Sequence, residues 1–293
     1  MVNLRFFLRL DPLAIFALIC FLGSPGVVLA QEMAIRRIIT LTPHLTELLF
    51  AVDAGARIVG TVDFSDYPDA ATKLPRIGSG SRLDLEAIRA LKPDLVLAWR
   101  SGNPLAQVEQ VEKLGIRVVW SESRRLDEVA DELERLGRLV GTERQAGSVA
   151  QAYRERLSGL ESRYSDRTPL RVFYQFWNTP PMTLSDQHLV GDALRLCGAV
   201  NVFGDLDELA PRISVEAVLV ADPEAIVIGA PEADVVAWGG RWKGYPDLRA
   251  VVSDNIIGIN PDLLNRATPR TLDGVESLCE ALDGARERLR HTD

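Results

Sequence analysis

The sequence predicts an α/β fold: two α/β lobes with parallel sheets, joined by a single long α-helix. Apolar runs rich in β-branched residues alternate with helical patterns in both halves of the 293-residue chain. A long amphipathic stretch separates the halves, and one pattern occurs once in each half, which predicts lobes of similar build. The length is sufficient for two domains of ordinary size.

The alternation of strands and helices defines a first lobe over residues 35–140 and a second over residues 169–293. The predicted strands of the first lobe are 35–41, 58–62, 95–99 and 118–120, and its predicted helices are 47–52, 85–91 and 106–114. The predicted strands of the second lobe are 170–176, 225–228 and 256–259, and its predicted helices are 190–197, 215–220 and 272–288.

Residues 141–168 are predicted to connect the lobes. Within them, apolar residues recur at spacings of three or four with charges between them, which predicts one amphipathic helix over 143–163. The polar stretch before Pro169 ends this pattern. A single helix between lobes is stiffer than paired strand hinges, so we expect small opening angles. The alternative is that the helix belongs wholly to one lobe.

The repeated pattern is a helical stretch that leads through a proline to a buried strand. Glu86 lies near the start of the first copy and Glu216 near the start of the second, each seven positions before its proline, Pro93 or Pro223. Proline ends the helix, and the β-branched run after it is typical of a buried strand. Because the unit repeats once, it indicates a duplicated domain rather than a solenoid. Glu86 and Glu216 are therefore a matched pair of acids.

Residues 1–30 have the features of a secretory signal peptide. Arg5 and Arg9 precede a short apolar run, and small residues before Gln31 predict cleavage after Ala30. A transmembrane anchor is the alternative, but the run is shorter than the ~20 residues that cross a bilayer. Cys20 does not follow a small residue, which disfavours a lipoprotein. We expect an exported protein.

The formal net charge of −8 disfavours nucleic acid or an anionic lipid surface as a partner. Cys197 and Cys279 are the cysteines outside the predicted signal peptide. In an oxidising compartment a disulfide between them can persist, and the alternative is two separately buried thiols.

Signatures of enzymes and metal sites were not found in the sequence. It contains no dinucleotide fingerprint, no phosphate-binding loop and no Gly-x-Ser-x-Gly elbow. His44, His188 and His291 stand in no metal-binding spacing, and no Cys-x-x-Cys occurs. We therefore expect no catalytic residues, no metal site and no cofactor.

Many stretches resemble the periplasmic cobalamin-binding proteins of ABC importers, which belong to the helical-backbone substrate-binding proteins. The resemblance covers nearly the whole chain after the signal peptide. It is carried by 37–43, 46–48, Gly60, 65–68, 85–86, 91–96, 98–100, 115–116, 171–173, 175–176, Asn178, 180–181, 197–198, 201–203, Ser214, Glu216 and 266–270.

This resemblance implies a monomer in the periplasm that binds its ligand in a cleft between two lobes and delivers it to the permease dimer of an inner-membrane ABC importer. It also implies a disulfide between Cys197 and Cys279. By the same resemblance, Glu86 and Glu216 dock onto arginines of the two membrane subunits. The alternative for both glutamates is an ordinary exposed acid in the first turn of a helix, favoured by the helix dipole.

The resemblance further implies that Trp99, Phe176 and Arg266 bind the ligand, with Phe64 at a tyrosine position of the family. Trp177, which replaces a glycine of the family, and His44, which replaces a small residue, are the other candidate ligand-binding residues. Aromatic faces suit a large planar ring, so we expect cobalamin or a related corrinoid as the ligand. The chain departs from the family pattern where tryptophans are replaced by Gly80, Ala210 and Leu263. Each aromatic residue taken alone is more often part of a core than a ligand contact.

Two other ligands suit the same fold. Haem would take an axial tyrosine or histidine, for which Tyr67 and His44 are the candidates, although Tyr67 also belongs to the stretch shared with the cobalamin binders. A ferric siderophore would favour Arg100, Arg212 and Arg266, because arginine pairs with anionic chelates. A hypothesis of another class is a secreted enzyme or signalling module with the same fold.

Overall fold

Two lobes follow one another along the chain, and a computed structural model describes residues 35–292, with side chains through His291. The predicted signal peptide, its cleavage after Ala30 and Cys20 lie outside the described residues. The elements of the first half are β1 (Ile38–Thr40), α1 (Pro43–Ala51), β2 (Ile58–Thr61), α2 (Leu85–Ala90), β3 (Leu95–Trp99), α3 (Leu105–Lys113), β4 (Val118–Ser121) and α4 (Glu128–Val140).

The long helix α5 (Glu143–Tyr164) leads into the second half of the chain. The elements that follow are β5 (Leu170–Gln175), β6 (Trp177–Asn178), β7 (Pro181–Met182), α6 (Leu189–Leu196), β8 (Ala199–Asn201), α7 (Val215–Ala221), β9 (Ala225–Gly229), α8 (Glu232–Trp242), α9 (Arg249–Val252), β10 (Ile256–Ile259), α10 (Pro261–Leu264) and α11 (Thr271–Thr292). Short 3₁₀ turns occupy Gly55–Arg57 and Asp69–Lys73.

The two sheets have the same topology. The first has the strand order β2-β1-β3-β4 and the second β8-β5-β9-β10, and all their strand pairs are parallel. If the four strands of each sheet are numbered in chain order, both sheets have the spatial order second, first, third, fourth. The predicted α/β fold and the predicted parallel sheets are confirmed, and the shared order is what a duplicated unit produces.

The duplication extends to individual hydrogen bonds at the start of each sheet. The amide of Asp94 donates to the carbonyl of Arg37 at 2.8 Å, and the amide of Glu224 donates to that of Arg171 at 2.8 Å. The side chain of Arg37 also donates to the carbonyl of Leu91, directly after α2, at 2.6 Å. The side chain of Arg171 likewise donates to the carbonyl of Ala221, the last residue of α7, at 2.7 Å. These bonds fasten the ends of α2 and α7 to the amino edge of their sheets, so both helices begin at the carboxyl edge.

Helix α5 forms an antiparallel pair with α4. Gly141 ends α4 with a left-handed φ of 73°, a conformation that glycine adopts without strain. Gly137 lies so close to Ala146 that a Cβ at residue 137 would come within 2.3 Å of it, so only glycine permits this approach of the two helices. The sequence predicted α5 but not its partner α4.

One hydrophobic core joins the two lobes. The buried face of α5 comprises Ala146, Ala150, Tyr153, Leu157, Leu160 and Tyr164, at the spacing that predicted the helix. This face packs in a single cluster with Ile38 and Leu95 of the first sheet and with Val172 and Val227 of the second. Two smaller clusters cover the opposite face of each sheet. The described residues consequently form one compact unit.

The disulfide between Cys197 and Cys279 is present, as the resemblance implies. Cys197 caps the end of α6, Cys279 lies in α11, and both sulfurs are buried in the shared core. Within residues 35–292, no helix combines the length and apolarity that a membrane crossing requires. The predicted domain boundaries at residues 140 and 168 remain a prediction.

Replacing Leu157 by alanine should lower the free energy of unfolding by about 2–5 kcal/mol, because it removes buried methyl groups from the shared core. Ser158→Ala, an exposed neighbour on the same helix, should change it by less than about 0.5 kcal/mol. Urea denaturation followed by circular dichroism measures both. Equal stability of the two variants would show that α5 does not hold the lobes together.

Candidate ligand cleft

The six predicted ligand-binding residues all lie at or after carboxyl ends of strands, where open α/β sheets bind their ligands. In the first lobe, His44 follows β1, Phe64 follows β2 and Trp99 ends β3. In the second lobe, Phe176 and Trp177 follow β5, and Arg266 follows β10 after the short helix α10.

A buried network of hydroxyl groups positions the first-lobe loops. The hydroxyl of Thr46 in α1 lies 2.7 Å from that of Thr40 and 2.8 Å from that of Thr61, at the ends of β1 and β2. Thr61 also donates to Ser65 at 2.8 Å. Because these hydroxyls satisfy one another away from water, they fix α1 and the loop that carries Phe64 against the strand ends.

His44 and Trp99 form a pair of aromatic rings at the strand ends of the first lobe. Their rings meet edge to face, with centroids 5.3 Å apart and planes at 85°. The indole lies directly over Gly102, where a Cβ would come within 1.9 Å of the ring. Any other residue at position 102 would displace Trp99.

Asn103 is a positioning residue that the sequence analysis missed. Its side-chain oxygen accepts from the amide of Trp99 at 2.7 Å, and its side-chain nitrogen donates to the carbonyls of Leu41 at 2.9 Å and Gly80 at 3.2 Å. One buried amide thus ties Trp99 to the end of β1 and to the loop before α2. The Gly-Asn pair after a strand was the sequence signal for this turn.

Arg266 crosses from the second lobe to the first. Its guanidinium lies 2.9 Å from Glu47 of α1 and 2.9 Å from Asp66, and it donates to the carbonyl of Phe64 at 3.3 Å. A third carboxylate, Asp262 of its own lobe, lies 2.6 Å away. Arg266 therefore joins loops from the two halves of the chain, and its charge is balanced by acids of both.

Glu47 is a buried carboxylate at the centre of this contact. Its side chain is 3% exposed, and burial raises its pKa, while the hydrogen bond from Arg266 and the charge of Arg270 oppose that rise. The guanidinium of Arg270 lies 3.6 Å from the second carboxylate oxygen and stacks over the ring of Tyr67, 3.8 Å from its centroid. A buried acid between two arginines is stable only while both remain in place.

Phe176 and Trp177 provide the aromatic surface of the second lobe. Phe176 packs against the shared core, and Trp177 is 56% exposed on the short hairpin β6–β7. The side-chain amide of Gln175 donates to the carbonyl of Trp177 at 3.1 Å and its oxygen accepts from the indole of Trp242 at 2.7 Å. Among the described residues, no hydrogen bond or ring contact joins Phe176 or Trp177 to the four other predicted ligand-binding residues.

The two predicted docking glutamates lie exposed in the first turns of α2 and α7. Asp84 caps α2 by accepting from the amide three residues on at 2.9 Å, and Ser214 caps α7 in the same way at 3.1 Å. Since both helices begin at the carboxyl edge of their sheets, Glu86 and Glu216 lie at the same edge as the cleft residues of their own lobes. The backbone amide of Glu216 itself, and then the hydroxyl of Ser214, lower the pKa of Glu216.

The model of the periplasmic binding protein family matches residues 38–239. This chain belongs to that family. The vitamin B12-binding protein of Vibrio cholerae serotype O1 (strain ATCC 39315 / El Tor Inaba N16961) is 36% identical over 269 residues, which cover 92% of this chain and 96% of that protein. The predicted resemblance is thereby confirmed.

Solved structures of periplasmic binding proteins share the fold. The periplasmic vitamin B12-binding protein BtuF of Vibrio cholerae superposes with a TM-score of 0.80 at 37% identity, covering 86% of this chain and 98% of that one. The periplasmic heme-binding protein RhuT from Roseiflexus sp. RS-1, in apo form, superposes with a TM-score of 0.76 at 22% identity and covers 86% and 99%. In the part of this periplasmic binding protein that we describe, no group of three or more His, Cys, Asp or Glu side chains forms a metal site.

Replacing Arg266 by glutamine should cost about 3–5 kcal/mol of stability, because Glu47 stays buried and loses its closest cation. The double variant Glu47→Gln/Arg266→Gln buries no charge there and should be more stable than the single variant. Arg100→Gln, which changes an exposed arginine, serves as the control and should cost less than about 1 kcal/mol. Chemical denaturation measures all three. A double variant less stable than the single one would refute the dependence of Glu47 on Arg266.

Acidification should destabilise the protein through His44. Burial and then the charge of Arg266 lower the pKa of His44 to about 3, whereas an unfolded histidine has an ordinary pKa of ~6.5. Between these values the unfolded chain binds more protons, so stability is complete above ~6.5 and falls as the pH drops towards 3.

The free energy of unfolding of His44→Gln should therefore fall less between pH 7 and pH 4 than that of the unchanged protein, while the exposed-site variant His291→Gln should follow the unchanged protein. Identical pH dependence in all three proteins would mean that His44 is not held neutral.

Proposed function

We propose that this protein captures cobalamin or a related corrinoid in the periplasm and delivers it to an ABC importer. The observation that carries the proposal is the 36% identity to a vitamin B12-binding protein over 92% of the chain. The aromatic residues at the strand ends support it, because a corrin is a large ring with apolar faces.

The electrostatics of the cleft favour a ligand with a neutral periphery. A corrin ring is bordered largely by amide side chains, which hydrogen-bond without needing a countercharge. His44 is held neutral beside Trp99, and the guanidinium of Arg266 is balanced by three carboxylates. This arrangement offers polar contacts without an excess of free positive charge.

The two alternative ligands would need different groups in the cleft. A ferric siderophore requires uncompensated cations. Of the three candidate arginines, Arg266 is paired and Arg100 stacks over Trp120 at 5.1 Å, which leaves Arg212 without a charge partner among the described residues. Haem requires an axial ligand, for which Tyr67 and His44 are the candidates, and the retained chromophore distinguishes haem from a corrinoid. We propose a receptor rather than an enzyme, because the family to which the chain belongs consists of binding proteins.

Absorbance after desalting tests the ligand. The purified protein is incubated separately with cyanocobalamin, cobinamide, haemin and a ferric hydroxamate, and the retained chromophore is recorded. We expect an unaltered corrinoid spectrum. Trp99→Leu should weaken corrinoid affinity by about tenfold, while Trp120→Leu, on the neighbouring strand, should leave it unchanged. Retention of haemin or the hydroxamate alone would refute the corrinoid proposal, and a chemically converted corrinoid would indicate an enzyme.

We propose further that the protein acts as a monomer on the two permease subunits of an inner-membrane importer, through Glu86 and Glu216. Two exposed acids at matched positions of a duplicated body suit a partner made of two related subunits, and such charges orient docking more than they strengthen it. Membership of the periplasmic binding protein family supports a periplasmic location, where this partner is accessible.

Reversing both charges, Glu86→Arg/Glu216→Arg, should abolish corrinoid uptake into proteoliposomes that contain the importer and leave corrinoid affinity unchanged. Glu109→Arg/Glu155→Arg, which changes two exposed acids elsewhere, is the control with the same change of net charge and should transport normally. Unchanged uptake by the first variant would end the assignment of the two glutamates.

A further inference from the structure

A second pair of matched charges accompanies the docking glutamates. Arg82-Leu83-Asp84-Leu85-Glu86-Ala87-Ile88 and Arg212-Ile213-Ser214-Val215-Glu216-Ala217-Val218 agree in character at most positions, and an arginine lies four residues before the glutamate in both. The burial of the two segments agrees at every one of these positions. The first, third and fifth residues are exposed in each, so both lobes present an arginine and a glutamate on one face. We call these faces the first-lobe patch (Arg82, Asp84, Glu86) and the second-lobe patch (Arg212, Ser214, Glu216).

Backbone hydrogen bonds fix the position of the main chain at each arginine. Arg82 lies in a tight turn in which its carbonyl accepts from the amide of Ser79 at 2.9 Å, next to an antiparallel bridge between Gly78 and Leu83. Arg212 itself forms an antiparallel bridge with Met182. Both arginines therefore hold set positions relative to the helix that follows.

The side chains of these two arginines have no partner within the described part of the protein. Over residues 35–291, neither the guanidinium of Arg82 nor that of Arg212 forms an ion pair, a hydrogen bond or a ring contact. A groove opens beside each one, shared with Asp63 in the first lobe and with Asp207 and Glu208 in the second. Each guanidinium is therefore free to pair with a charged side chain of a partner, and the groove beside it has space for that side chain.

We propose that Arg82 and Arg212 bind carboxylates of aspartate or glutamate side chains on the two related subunits of the importer. This inference rests on the proposed function. Arginine is suited to the role because its planar fork accommodates a carboxylate with two parallel hydrogen bonds.

Charges of both signs on each patch set the register of docking. A patch with acids alone would tolerate sliding along a basic surface, whereas a positive and a negative group at a fixed separation match a partner in one position. A shifted or reversed approach brings like charges together, which is unfavourable. Because the arrangement occurs on both lobes, it constrains both subunits of the partner.

The test compares two charge-reversed proteins in binding to the importer of the source bacterium, reconstituted in nanodiscs of zwitterionic lipid. Arg82→Glu/Arg212→Glu should raise the dissociation constant by about tenfold or more, and added salt should reduce this difference. Arg117→Glu/Arg144→Glu is the matched control. It makes the same change of net charge at exposed arginines whose segments are not repeated, and it should stay within about twofold of the unchanged protein. Both variants should retain corrinoid affinity.

Unchanged binding by Arg82→Glu/Arg212→Glu would overturn the proposal, and so would an equal loss in the control, which would indicate a general charge effect. Binding of the unchanged protein to empty nanodiscs of anionic lipid, lost in the same variant, would also overturn it in favour of lipid phosphates. If Glu86→Arg/Glu216→Arg weakens binding but the arginine variant does not, only this inference fails. If the unchanged protein does not bind the importer, the proposed function fails with it.

Discussion

The structure depends on a hydrophobic core that both lobes share. Helix α5 provides one continuous apolar face, from Ala146 to Tyr164, that packs with strands of both sheets. Because interiors are close-packed, a wide separation of the lobes would expose this face and lose its contacts. The disulfide between Cys197 and Cys279 lies in the same core and ties α6 to α11. The shared core therefore opposes a wide separation of the lobes.

The candidate cleft follows from this arrangement. Two sheets of identical topology direct the carboxyl ends of their strands to loops that carry aromatic residues and a charged contact between the lobes. Arg266 supplies that contact, and Glu47 makes it costly to break because a buried carboxylate needs its cations. The first turns of α2 and α7 lie at the same edges and carry the matched acids. Duplication thus places an exposed acid at matched positions of both lobes.

The sequence predicts those features that depend on local periodicity. The spacing of apolar residues predicts α5 within one residue, and the repeated pattern predicts both that the lobes are similar and that Glu86 and Glu216 occupy equivalent positions. Features that depend on distant contacts were not predictable. Arg266 and Glu47 are 219 residues apart, and no pattern signals their pairing. The hairpin β6–β7 has strands of only two residues, too short for alternation to show. The Gly-Asn pair signals a turn at Asn103, but its contacts with the distant carbonyls of Leu41 and Gly80 leave no signal in the sequence.

Native-state hydrogen exchange tests most directly whether the shared core makes the two lobes one cooperative unit. The slowest amides of β1 and β3 in the first sheet and of β5 and β9 in the second are followed as denaturant is added. If the shared core joins the lobes, all four strands exchange through the same global unfolding, with equal free energies. Exchange of one sheet at a clearly lower free energy, while the other stays protected, would contradict it.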